Sequence, residues 1–427
     1  MNPAPSQVGE FHRGWRIVLL ALAGAATTMS VTMLYGFGAM VLPLEKTFGW
    51  SRGDMQAAIS FLSLGVIVAS QFAGWFNLRW GLRRVTLVSL VATPLALFML
   101  CFLGGSVWSL YLGYFLVPLA GVGITFVTWT QLVSQWFDKR RGFALAIVLC
   151  GSGLSAAVMP ALLTWAIDRW DVRAGWIVMG LMPLLLALPL AWLFMIPAPG
   201  VTTATAHVRP SAAATGPSAG FRLTLRSRKF WVLNVALTLV VSAVVGMVTN
   251  TVPLLRDLGH SAAEAGAIFG SFGLSLVAGR LLAGYLIDRL WAPGVAAATL
   301  FMPAVGCLLL WTADAGTPVP LLIAAVCLTG IGAGAEFDLS AYLVARYFGL
   351  ADYGRLFGVH LGLITFGGTV APLMYAWMYK SSGNYNAMLA YCVGCCIVGP
   401  LLLLTLGRQP ASSGGPSGHP TEAGLPA

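Results

Sequence analysis

Residues 74–84 read GWFNLRWGLRR and residues 284–289 read GYLIDR, which sets a glycine, an aromatic ring and an arginine in one register 210 positions apart. The same offset carries Pro43-Leu44, Gly49 and Ser51 onto Pro253-Leu254, Gly259 and Ser261, and the run from Gly142 to Pro160 is echoed from Gly354 to Pro372. Short matches that keep almost one offset over three segments read as an internal duplication, two halves built on one plan.

What fills the halves is apolar. Of 427 residues, 58% are hydrophobic and only 9% charged, against roughly 25% charged in an average soluble domain. Runs of about 20 apolar residues, enough for a helix to cross roughly 30 Å of hydrocarbon, recur along the chain. We read twelve, at 16–42, 54–77, 85–105, 107–132, 142–167, 174–196, 230–254, 262–287, 294–313, 317–345, 355–379 and 385–407. The expected fold is an all-α membrane protein with twelve transmembrane helices in two pseudo-symmetric six-helix bundles. Its expected parts are an N-terminal tail 1–14, a first bundle 15–196, a linker 197–229, a second bundle 230–408 and a tail 409–427 whose Gly, Pro and Ser cannot bury a core. The first apolar run passes the length of a signal-peptide core without a cleavage pattern, so it is expected to stay as a span.

The net charge of +10 is sorted by side rather than gathered into a nucleic-acid surface. Seventeen of the 24 Lys and Arg fall in segments on the side of the termini, and six (Lys46, Arg52, Arg169, Arg173, Arg256 and Lys380) fall on the other. By the positive-inside rule both termini are expected in the cytoplasm. All seven cysteines sit inside apolar runs, where they read as small packing residues; Cys392, Cys395 and Cys396 have spacing too weak to argue for a metal.

The segment 74–84 resembles the G-x-L-x-D-R-x-G-[RK]-[RK] motif of the major facilitator superfamily, with Leu78 at the acidic position. The second copy keeps Asp288 and Arg289 but lacks the terminal glycine and basic pair. Within that superfamily the chain looks most similar to the bacterial branch of the monocarboxylate transporter and oxalate/formate exchanger group. The resemblance rests on GWRIVLL at Gly14, LYGFGAMVLPLEKTFGWSR from Leu34, QWFDKRRGFALAIVLCGSG from Gln135, AGRLLAG from Ala278 and GAEFDLSAYLVARYFG from Gly334. It implies a multi-pass protein of a bacterial inner membrane that works by alternating access, and it implies Arg79, Arg83, Asp288 and Arg289 as gating residues. The usual latch cannot form around Leu78 in its normal way.

An ionisable side chain at membrane depth costs about 2.5–3.5 kcal/mol on translocon scales, so each one asks for a reason. Arg280 is the only Lys or Arg that falls outside the loops. Its place matches the arginine that binds the substrate carboxylate in monocarboxylate transporters, and a guanidinium offers a planar fork to two carboxylate oxygens. The alternative is an ion pair that locks a closed state. The resemblance also implies an aspartate one turn before this arginine, and Leu276 stands there instead. Glu336 and Asp338 are the candidates to carry a proton in its place, or else to form structural ion pairs; two residues apart on a helix, they cannot face the same cavity. His360, the one histidine inside an expected span, could titrate near neutral pH or make an interhelical hydrogen bond. Tyr35, Asn250, Trp129 and Gln131 complete the expected substrate-binding set.

No phosphate-binding loop, metal-spaced cluster or nucleophile with a base is visible, so neither a single-chain ATP-driven pump nor an enzyme is expected. No cofactor, nucleic acid or obligate protein partner is expected either. The expected function is secondary import of a small organic anion, monocarboxylate-like, by proton symport. Alternatives are an aromatic acid, a lactone, a neutral vitamin-like solute or anion exchange; outside transport, the alternative is a membrane sensor.

Overall fold

The computed structural model describes residues 10–137, 141–195, 219–287, 289–348 and 353–407. Every regular element among them is helical. In chain order these are α1 (Glu10–Ala26), α2 (Met29–Phe48), α3 (Arg52–Trp80), α4 (Leu82–Met99), α5 (Val107–Ala120), α6 (Phe126–Trp136), α7 (Arg141–Arg169), α8 (Val172–Met182) and α9 (Leu188–Phe194). After these come α10 (Ala219–Leu225), α11 (Arg228–Asp257), α12 (Ala262–Ile287), α13 (Ala292–Trp311), α14 (Val319–Phe348), α15 (Tyr353–Ser382) and α16 (Asn386–Leu404).

Ten spans are long and apolar enough to cross a membrane, α8 and α9 counting as one through a π-helical turn, and α1 with α2 forms an eleventh bent by 41°. The expected run 107–132 is divided between α5 and α6 by a 3₁₀ turn at Val122–Ile124. Side chains bend the first break and satisfy the second. Thr27 and Thr28 donate their hydroxyls back to the Ala23 and Gly24 carbonyls at 2.9 and 2.8 Å, a bond that competes with the helical ladder and bends it. Thr28 also donates to the Ile124 carbonyl at 3.1 Å, and the Trp129 indole N–H donates to the same oxygen at 3.2 Å. The carbonyl that the α5–α6 break frees is thereby satisfied from inside the protein, as a dry interior demands.

Two apolar cores form, one from residues between Ile17 and Met195, the other from Ala156 with residues between Phe230 and Leu406. Where the expected linker 197–229 is described it is α10, a turn at Arg226–Ser227 and the start of α11; residues 196–218 and the tail from 408 lie outside the described residues. The two halves meet along α7 with α12, α3 with α15 and α2 with α11. Small residues set these approaches: a Cβ added at Gly273 would lie 2.1 Å from the Ala157 amide nitrogen, and one at Gly153 would lie 2.9 Å from the Gly273 carbonyl. Backbones that touch in this way gain van der Waals contact that side chains would block.

Candidate functional site

The central polar group is assembled by glycine packing. Helix α14 lays Gly330 and Gly334 on α12, where a Cβ at Gly334 would meet the Leu276 carbonyl at 2.0 Å and the Arg280 amide at 3.0 Å. Glu336 follows on the same helix, within electrostatic reach of Arg280. Glu336 is only 7% exposed, and its Oε2 has no hydrogen-bond partner. The Arg280 guanidinium reaches out of its own half and donates through Nη1 to the Leu149 carbonyl of α7 at 2.7 Å. Tyr35 comes from α2, with its ring centroid 5.9 Å from that of Phe272 on α12. The charges of Glu336 and Arg280 both act on the Tyr35 hydroxyl. A guanidinium, a carboxyl and a phenol from three helices thus lie within electrostatic reach of one another near the seam between the halves.

On the face opposite the chain's N-terminus the seam is shut by charge. Arg52, at the start of α3, pairs with Glu45 at 2.8 Å, makes a close contact with Asp257 of α11 and donates to the Tyr385 hydroxyl at 3.1 Å. Lys380, near the end of α15, makes a close ion pair with Asp54. Gly53 makes room for this, because a Cβ there would sit 2.9 Å from the Ala376 carbonyl. Beneath these pairs the Gln56 amide, 2% exposed, donates to Asn250 Oδ1 at 2.7 Å. The Asn250 amide in turn donates to the Gly246 carbonyl at 2.9 Å and to the Thr249 hydroxyl at 3.0 Å. Asn250 therefore sits in a bond that ties the halves, between the charged rim and the Arg280 group.

The remaining expected residues are dispersed. Trp129 is fully buried in the first core against Gly24, and Gln131 accepts from Asn77 at 3.3 Å. His360 is buried, with Nδ1 2.9 Å from Asn234 Oδ1 of α11 and Nε2 without a partner. Arg79 stacks over Trp75 with 5.8 Å to the ring centroid, Arg83 donates to the Trp192 carbonyl at 3.1 Å, and Arg289 lies 4.0 Å from the Tyr285 centroid. Asp288 lies outside the described residues, as does the side chain of Asp338. Sequence reasoning missed Gln56 and the pairing of Arg52 and Lys380. Their charges were visible at helix ends, but partners 205 and 326 positions away carry no local signal.

Two duplicated helical halves that close on one face over a lone arginine define a membrane transporter. The chain belongs to the Major Facilitator Superfamily, whose family model matches residues 20–290 and 235–425, and it is a transporter rather than an enzyme. It is 26% identical over 431 residues to monocarboxylate transporter 11 of Mus musculus, covering 96% of this chain and 90% of that one. It is 24% identical over 410 residues to monocarboxylate transporter 13 of Bos taurus, covering 92% and 89%. Among solved structures a mutant of the nucleoside transporter NupG superposes with a TM-score of 0.75 at 12% identity, covering 92% of this chain and 100% of that one. A bacterial homologue of the human lysosomal transporter Spinster gives 0.67 at 14% identity, covering 92% and 95%. At such identities these two likenesses speak for the fold alone.

Proposed function

We propose that the protein is a secondary active transporter that imports a small organic anion, a monocarboxylate, together with a proton. The observation that carries this reading is the Arg280 guanidinium held at the seam beside Glu336 and Tyr35. The naming of the relatives as monocarboxylate transporters supports the substrate class. A carboxylate arriving at Arg280 would take the guanidinium as its partner and displace the Leu149 carbonyl, which a charge-assisted fork outcompetes. Glu336 would then lose the cation that balances it in a dry site and would take up a proton. Movement of both charges across the seam as a neutral set is proton symport. Leu276, at the position where the family's aspartate is expected, leaves this duty to the neighbouring helix.

In this scheme the face closed by Arg52 and Lys380 is external, the termini are cytoplasmic, and the site opens in turn to each side as the halves rock. The excess of Lys and Arg on the terminal side supports that orientation in a bacterial inner membrane. His360 serves as an interhelical tether to Asn234, and Asn250 serves the external closure. Tyr35 with Phe272 offers a ring-sized wall, which favours aromatic acids as a second substrate set.

The test is uptake into proteoliposomes with an acid-outside gradient, using labelled lactate, pyruvate, an aromatic acid and a neutral vitamin, with Arg280→Ala alongside the wild type. Gradient-dependent accumulation of a carboxylate that disappears in Arg280→Ala is the expected result. Accumulation of the neutral solute, or normal anion transport by Arg280→Ala, would remove the anchor from the scheme.

A further inference from the structure

We propose that the turn between α3 and α4 is a binding site for anionic phospholipid headgroups, built from Arg79, Arg83 and Arg84 on a shelf of tryptophans. The turn is one residue long. Gly81 adopts φ +82°, a left-handed value that favours glycine, and this brings an arginine at the end of α3 and two in the first turn of α4 onto one rim. All three guanidinium side chains are exposed.

Among the described residues no carboxylate neutralises them. Asp and Glu are absent from residues 55–137, a stretch whose only Lys and Arg are these three. Among the described residues none of the three lies within 4.0 Å of a carboxylate; Arg79 rests on Trp75 and Arg83 on the Trp192 carbonyl. The duplicated turn in the second half is an internal control. There Asp288 and Arg289 stand where Leu78 and Arg79 stand here, and Pro293 and Gly294 replace Arg83 and Arg84. One copy of the turn carries no net charge and the other carries three positive charges, so the fold does not require the basic cluster.

The surroundings fit a lipid rather than a soluble polyanion. Trp75 and Trp80 are 52% and 50% exposed, with ring centroids 5.9 Å apart, and Phe76 packs against Trp80 at 4.9 Å. Trp192, whose carbonyl anchors Arg83, is itself 66% exposed. Indole rings settle at the headgroup level of a bilayer, an apolar body in the acyl region and a polar edge toward water. A guanidinium beside them meets a phosphodiester with the paired donors that its two free oxygens accept. The occupant is therefore a diacyl lipid with a net negative headgroup, such as phosphatidylglycerol, taken from the leaflet on the side of the termini.

The experiment is competitive lipid binding to the purified full-length protein in detergent, measured by native mass spectrometry with phosphatidylglycerol and phosphatidylcholine of the same chain length. Wild type is expected to retain phosphatidylglycerol preferentially. Removing a juxtamembrane cation lowers association with an anionic surface roughly fivefold, so Arg79→Gln, Arg83→Gln and Arg84→Gln together should lower it on the order of 100-fold. Leu78→Asp, which restores the acid found in the second copy, should weaken retention without removing any arginine, and Arg289→Gln should leave it unchanged. Equal retention by wild type and the triple variant, or equal retention of both lipids by wild type, overturns the proposal. Displacement of the lipid by inorganic phosphate at equal concentration overturns it too, because the site would then read a free anion. If the triple variant fails to fold, the single variants and Leu78→Asp carry the same comparison.

Discussion

Removing the two cations that bind the halves together should open the face that they close. In Arg52→Ala/Lys380→Ala the contacts from Arg52 to Asp257 and Tyr385 and from Lys380 to Asp54 are lost at once. Both pairs are partly solvated, with side-chain exposures of 15% and 41% in one and 52% and 36% in the other. Exposed pairs contribute about 0.2–1 kcal/mol each, so the closed state loses roughly 0.5–2 kcal/mol, a 2- to 30-fold shift in the ratio of closed to open molecules. The Gln56 bond to Asn250 remains and adds about 0.6 kcal/mol, which keeps the closed state populated. The assay is electron–electron double resonance between spin labels at Thr47→Cys and Ser382→Cys, one on each half of this face, in a background whose seven native cysteines are replaced. A longer-distance population should grow by the stated factor, and 1 M salt, which shortens the screening length to about 3 Å, should produce part of the same shift in the wild type. Unchanged distance distributions in the double variant would show that apolar packing along the seam, not these charges, holds the face shut.

Other outcomes follow from the same geometry. Glu336→Gln should keep exchange of anion across the membrane but abolish accumulation driven by an acid-outside gradient, as read by counterflow and uptake in one vesicle preparation. Arg280→Lys retains the charge and loses the fork, and should raise the substrate KM at least tenfold, the scale of about 1.5–3 kcal/mol for a hydrogen bond to a charged group. Gly334→Val places new atoms against the Leu276 carbonyl, so thermal unfolding in detergent should show a loss of about 1–3 kcal/mol from overpacking. His360→Leu should lower stability while leaving the pH profile of uptake where it was; a displaced profile would return His360 to the coupling machinery.

The helical class, the duplication and most spans were legible because they rest on run length and on repeated residues, both of which are local properties. The breaks at Thr27–Thr28 and Gly121–Thr125 were not, since the runs 16–42 and 107–132 stay apolar through them; at the first the cause is a hydroxyl bonding backward, and at the second the freed carbonyl is met by donors from Thr28 and Trp129. At the site, Arg280 was legible as a charge without a loop. Its bond to the Leu149 carbonyl of the other half, and the packing of Gly334 on its own turn, are contacts between helices that no periodicity announces. Trp129 looked like a cavity residue on chemistry alone, but its indole is engaged by a carbonyl exposed at a break the sequence did not reveal. Asn250 stood out as a polar group in a span, and only the position of Gln56 gives it a partner.

The Ile124 carbonyl, which takes one hydrogen bond from Thr28 and another from Trp129, works as a shared pin between two elbows of the first half. Straightening either elbow would strip a buried oxygen of a donor with no water at hand to replace it. The part of the first half that these elbows join, α1, α2, α5 and α6, should therefore turn as a braced frame, and flexing within a transport cycle should fall instead on the long helices α7 and α15, which carry Pro160 and Pro372 in their interiors.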